Sequence, residues 1–222
     1  MKPDNGRIVF QEKGLKPFPA EKFQQLLNIA NPLCRLIYLY AGITGLRECE
    51  ILWIKVEDFD FIKGTLTYRV AKRNIITEKI LPYFLIEETE LWIKKNNLEK
   101  EDFLFKIQKG RYQGNRYHEK SLMKQTRKYF NKIGLSKKKI MKRRLNPNSP
   151  IKSYDLYYYT FHSLRHMFGT LFYQYTLDRN FTAWSLRHSN NQTVDTYINI
   201  LNYDKELEIS KKVMKKILYV EN

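Results

Sequence analysis

Cysteine, proline and glycine are scarce in this chain of 222 residues, with 2 Cys, 7 Pro and 9 Gly. Cys34 and Cys49 form no C-x-x-C pair and cannot build a disulfide framework. So little Gly and Pro excludes a collagenous or low-complexity chain. Long apolar runs are missing too: the longest, Leu36 to Ile43, falls far short of the ~20 residues that cross a bilayer. Residues 1–20 hold no apolar block that would serve as a signal peptide. The expectation is an intracellular, soluble protein. Aromatic residues, by contrast, are plentiful, and 16 Tyr, 13 Phe and 3 Trp in a chain that is 43% hydrophobic require a buried core rather than a disordered tail.

Acidic residues are almost absent from one stretch. Between Lys106 and Arg144 there are fifteen Lys and Arg and one acid, Glu119, so +14 of the net +17 lies there. A polyanion is the natural partner of such a field, and its binding should weaken steeply with salt. The densest part, Lys137, Lys138, Lys139, Lys142, Arg143 and Arg144, supplies the candidate contacts. Ser121 to Leu135 is also an amphipathic basic segment, but an internal helix of that kind ordinarily packs on its own core, so no membrane partner is expected.

Hydrophobic spacing predicts a helix from Pro19 to about Ala30, and then a buried one over Leu33 to Ala41. Gly42 to Gly45 should break it, with Thr44 as N-cap of a short helix over Leu46 to Ile54. Thr65 to Ala71 and Ile75 to Leu81 read as a β-hairpin bending at Lys72 to Asn74. Helices are expected over Glu87 to Lys95, with acids in its first turn, and over Ser121 to Ile133. Ser136 to Tyr159 reads as loop with short structure at most. Further helices are expected over Ser163 to Tyr175, Thr182 to Leu186, Thr193 to Leu201 and Lys205 to Leu218. The last carries an apolar edge of Leu207, Met214, Ile217 and Leu218. The fold class is therefore mainly α with a small antiparallel β-sheet.

Three of the four histidines, His162, His166 and His188, fall close to Arg165 and Arg187. Two guanidiniums can grip the non-bridging oxygens of a phosphodiester as negative charge builds, and imidazoles move protons near neutral pH. His162 and Arg165 share a face at a helix start. His162 and His166 have the spacing of a zinc helix, but Ser163 stands where a metalloprotease needs Glu and no third ligand is evident, so no metal is expected.

Thr44-Gly45-Leu46-Arg47-Glu48-Cys49-Glu50 resembles the first arginine motif of the tyrosine recombinases, in which an acid follows the arginine by three positions. Phe161-His162-Ser163-Leu164-Arg165-His166 is similar to their H-x-L-R-H motif, and Leu186-Arg187-His188-Ser189-Asn190 to their L-G-H-S-S, with Arg187 in place of glycine. Tyr197 follows His188 at the spacing of the family nucleophile, and Ala71-Lys72 resembles the G-K of its catalytic lysine. The resemblance runs from about Pro19 to Tyr203 and implies the integrase catalytic-domain fold.

It also implies roles. Tyr197 would attack a scissile phosphate of duplex DNA, giving a 3′-phosphotyrosyl link and a 5′-hydroxyl. Arg47 and Arg165 would clamp the phosphoryl oxygens. Lys72 would protonate the leaving oxygen, with Arg73 and Lys79 as alternatives for that task. His162 would assist proton transfer, His188 would hydrogen-bond the phosphate, and Glu50 would orient Arg47 or its helix. Arg187, which departs from the family's glycine, would either crowd the turn or add a further phosphate contact. No cofactor is required, since the covalent intermediate stores the energy. The expected activity is site-specific recombination by an integrase or resolvase. The alternatives are strand relaxation of the type IB topoisomerase kind and a non-catalytic DNA-binding protein.

The expected organisation is an extended lead-in over 1–18, a catalytic domain over 19–203 and a C-terminal tail over 204–222. No counterpart of the family's N-terminal core-binding domain is expected within the residues before Pro19, so the chain reads either as the catalytic part of a longer protein or as a minimal form. The basic stretch would then compensate for that domain's absence. The partners expected from the resemblance are double-stranded DNA and three further copies in a tetramer on DNA. The tail would dock either on a neighbouring copy or on its own domain.

Overall fold

The computed structural model describes residues 16–71, 75–136, 138–143, 152–187 and 199–218, with 138–143, 152–156 and 199–204 described as backbone alone. A 3-10 turn over Ala20–Lys22 leads into α1 (Phe23–Ile29) and α2 (Pro32–Thr44). Asn31 caps α2 by accepting a hydrogen bond from the Cys34 amide at 2.8 Å, and Pro32 occupies the first turn, where its missing N–H costs nothing. Nearly every side of α2 is buried, from Cys34 through Thr44. Its two phenols are satisfied inside the core. The Tyr38 hydroxyl meets Thr126 Oγ1 at 3.1 Å and the Tyr40 hydroxyl meets Thr89 Oγ1 at 2.6 Å, which fastens α2 to two later helices.

The helix does not break at Gly42. It runs through to Thr44, and a side chain at Gly42 would meet the Phe23 ring at 2.6 Å, so the glycine serves close packing of α1 on α2. Thr44 is correspondingly not an N-cap: its hydroxyl donates back to the Tyr40 carbonyl at 2.6 Å. Gly45, at φ +68°, ends α2, and α3 is confined to Glu48–Leu52 with Arg47 as its cap residue.

β1 (Phe59–Asp60), β2 (Thr65–Val70) and β3 (Ile75–Ile80) form an antiparallel sheet in that order, with Thr65 opposite Ile80 and Val70 opposite Ile75. β1 is too short to show in the residue pattern. α4 (Tyr83–Lys95) begins four residues before Glu87, and no acid lies in its first turn, since Pro82 sets its start. α5 (Glu119–Lys132) follows. The segment expected to be loop instead contains β4 (Lys138–Arg143) paired antiparallel with β5 (Lys152–Tyr157). Its run of charges hides it, because no apolar-polar alternation marks either strand in the sequence.

α6 (His162–Thr176), α7 (Arg179–Ser185) and α8 (Asn199–Leu218) complete the chain. α6 and α8 both pack on α2, so the core is a helical layer around α2 with the sheet at one side. From Asn199 onward the two expected C-terminal helices are one, and its buried side is Glu206, Ile209, Ser210, Val213 and Ile217. Leu207, Met214 and Leu218 only flank that side. The 204–222 segment, in its described part, thus lies on its own domain. Among the described residues no helix is long and apolar enough to cross a membrane.

Candidate active site

Glu50 is the centre on which the site is built. It lies in α3 with only 4% of its surface exposed. Its carboxylate accepts the Arg47 amide at 2.8 Å and the Arg47 Nη1 at 2.7 Å, a short-range cap that closes the first turn of α3. The same group accepts the amide of Ala71 at 3.3 Å, at the end of β2. Arg165 Nη1 stands 4.0 Å from its second oxygen. One carboxylate therefore gathers two guanidiniums, and its bond to the Ala71 amide holds the backbone one residue before Lys72. Lys72 itself lies outside the described residues, as does Arg73.

Arg165 projects from α6 and is 4% exposed. It donates through Nη1 to the Gly45 carbonyl and through Nη2 to the Leu186 carbonyl at 2.5 Å. A rigid planar fork holds two such carbonyls from two separate nitrogens, a geometry that the single nitrogen of a lysine does not reproduce. Burial, and then the neighbouring Arg47 charge, push the Arg165 pKa down to about 10. It stays cationic at neutral pH, but in a site already rich in positive charge. An anion arriving there would relieve that repulsion.

His162 opens α6, half-buried, with its ring set edge-on to His166 at 4.8 Å between centroids. Burial and the Arg165 charge lower the His166 pKa. Arg187, at φ 53°, turns its guanidinium over the Trp184 ring at 4.2 Å and donates to the carbonyls of Trp184 at 3.2 Å and Glu78 at 3.0 Å. It thus bridges the end of α7 to β3.

Lys79, the alternative proton donor, has no proton left for a substrate oxygen. Its ammonium is 1% exposed and donates to Glu206 Oε1 at 2.5 Å, to the Ser185 carbonyl at 3.0 Å and to Ser185 Oγ at 3.2 Å. This cluster is not legible in the sequence, since Lys79 and Glu206 are 127 residues apart. His188, Tyr197, Lys137 and Arg144 lie outside the described residues, while Lys138, Lys139, Lys142 and Arg143 are placed as backbone on β4. The exposed basic side chains of α5, among them Lys120, Lys124, Arg127, Lys128 and Lys132, precede that strand.

The profile of the phage integrase family matches residues 17–203. The chain belongs to the phage integrase family. It is 25% identical over 207 residues to tyrosine recombinase XerA of Pyrococcus horikoshii, covering 91% of this chain and 64% of that relative. Among solved integrase-fold structures, the integrase of mycobacterium phage Brujita superposes with a TM-score of 0.65 at 19% identity, covering 96% of this chain and 67% of that one. The XerH site-specific recombinase bound to its difH substrate gives a TM-score of 0.57 at 24% identity, covering 86% and 48%. The present chain thus spans less than two thirds of the curated recombinase it matches. Both arginine motifs, around Arg47 and Arg165, lie within the matched span of this integrase-family chain.

Proposed function

We propose that the protein is a site-specific DNA recombinase that cuts and rejoins duplex DNA through a 3′-phosphotyrosyl intermediate. The observation that carries this reading is the placement of the Arg47 and Arg165 guanidiniums about the single buried carboxylate of Glu50. Two fixed cations beside one anion leave a net positive pocket matched to a phosphodiester whose charge rises in the transition state. In this reading the Tyr197 oxygen bonds to phosphorus, the bond from phosphorus to the 5′-oxygen breaks, and that oxygen takes a proton from Lys72. His162 helps to receive the Tyr197 proton and His188 bonds the phosphoryl group. The reverse attack by a 5′-hydroxyl restores the strand, so no external energy source enters. Exchange between two duplexes cuts four strands with one tyrosine each, so the reading carries a tetramer on DNA. The basic side chains of α5 and the lysines of β4 hold the DNA backbone, while Arg187 is committed to the carbonyls of Trp184 and Glu78.

Incubation with a randomised library of nicked duplexes, followed by a denaturing gel, tests this. A covalent protein–DNA adduct is expected, lost in Tyr197→Phe while duplex binding persists. Binding with no adduct would overturn the catalytic reading in favour of a DNA-binding protein.

A further inference from the structure

Lys79, Ser185 and Glu206 are buried titratable or hydroxyl groups that the proposed chemistry does not use, yet they join three separate elements. Lys79 lies on β3, Ser185 ends α7, and Glu206 lies in the first half of α8. Besides the Lys79 bonds, Ser185 Oγ donates to Glu206 Oε1 at 2.5 Å. All three residues are 2% exposed or less. Desolvation lowers the Lys79 pKa, and Glu206 is the neighbour that opposes this.

The surroundings connect this joint to the arginine site. The carbonyl after that of Ser185, on Leu186, takes Arg165 Nη2, and the backbone carbonyl preceding Lys79, on Glu78, takes Arg187 Nη2. The turn from Trp184 to Arg187 is thereby held from α6 by Arg165 and from β3 by Lys79. That turn leads directly into His188. Glu206 adds α8, which begins two residues after Tyr197. β3 in turn follows Lys72 by three residues in the chain.

We propose that Lys79, Ser185 and Glu206 are positioning residues that lock β3, the turn before His188 and the helix after Tyr197 into one register with Arg165. This rests on the recombinase reading above for its consequence, though not for the joint itself. An apolar cluster of the same volume would hold these elements together equally tightly, because a buried ion pair is seldom worth more than good packing. It would not direct the Ser185 carbonyl. The ion pair therefore contributes geometry rather than adhesion.

Two variants of the full chain separate the possibilities: Glu206→Gln, which is isosteric, and the repacked Lys79→Met/Glu206→Leu. Adduct formation in a single turnover, melting temperature and amide hydrogen exchange of residues 184–187 and 205–218 are the readouts. Glu206→Gln should slow adduct formation, by up to about 100-fold as small misplacements do, with duplex affinity unchanged. The repacked variant should regain the melting temperature while its adduct formation stays slow and the amides of Leu186 and Arg187 exchange faster. Wild-type adduct rates in the repacked variant, or unchanged rates and exchange in both, would overturn the proposal. If the wild-type protein forms no adduct at all, the recombinase reading fails by itself. Faster exchange at residues 184–187 in the repacked variant then still upholds the joint, and unchanged protection there rejects it.

Discussion

Arg165 Nη1 and Glu50 Oε2 lie 4.0 Å apart, on helices that begin more than a hundred residues from one another in sequence, and Arg47 bonds to the other oxygen of the same carboxylate. Glu50 is thus the counter-charge for two arginines, and both it and Arg165 are 4% exposed. Glu50→Ala leaves both cations uncompensated and the Arg47 and Ala71 amides without an acceptor. A loss of about 3–5 kcal/mol in urea unfolding is expected, as for the breaking of other buried pairs. Glu50→Gln, which keeps an acceptor oxygen, should lose clearly less.

Arg165→Lys tests the fork. Arg165 holds the Gly45 and Leu186 carbonyls from two different nitrogens, and a lysine has only one. Stability should fall by about 1–3 kcal/mol from the carbonyl left bare, and single-turnover adduct formation by about 100-fold or more. Equal loss of duplex affinity and cleavage would show that the residue only binds.

Gly45→Ala should be harsh although it adds one carbon. The residue sits at φ +68°, and a Cβ would come within 2.5 Å of the Phe168 ring and 2.8 Å of Leu186 Cδ2. Strain of the left-handed backbone and overpacking add, so a loss of about 2–4 kcal/mol is expected in chemical denaturation. Gly110→Ala has open space around it, and serves as the control for backbone strain alone.

Alkaline pH should unfold the protein through its tyrosines. Burial pushes the Tyr68 phenol up to about 12 and raises Tyr38 and Tyr40 as well, and the hydroxyls of Thr126 and Thr89 offset this only in part. Their folded pKa lies above the unfolded value, so the folded state keeps protons that the unfolded chain releases. Stability is full below pH ~10 and falls as pH climbs from there toward the folded values. The lowered Arg165 acts in the opposite direction over the same range, since its unfolded state binds the extra proton. Lys79, lowered by burial, acts with Arg165, while the Cys34 thiol, pushed up to about 11 by burial, acts with the phenols, so the raised acids outnumber the two lowered bases and the net slope is negative. Urea midpoints from pH 8 to 11, with tyrosinate absorbance rising together with unfolding, check it.

Charge on β4 should set salt dependence more than stability. Neutralising Lys138, Lys139 and Lys142 to Gln should flatten the plot of log affinity against log salt by ~0.9 for each phosphate that is no longer neutralised. The urea midpoint should stay in place. An unchanged slope would remove this strand from the DNA surface.

Local sequence determined a good deal of this protein. The apolar girth of α2, the glycine that ends it, the strands Thr65–Val70 and Ile75–Ile80 and the helix carrying His162 and Arg165 follow from short-range preferences, which act within a few residues. The mainly helical class with a small sheet follows on the same footing, whereas the motif residues could be named only through their resemblance to the tyrosine recombinases. Three things needed the folded chain. Gly42 is a packing position for Phe23 rather than a helix breaker; β4 and β5 pair although a run of charge, not alternation, marks their sequence; and Glu206 occupies the buried stripe of α8 where Lys79 arrives from 127 residues away. In each case the deciding partner is distant in sequence, and a charge or a glycine reads as solvent-facing or as a breaker until the partner that buries it is in place.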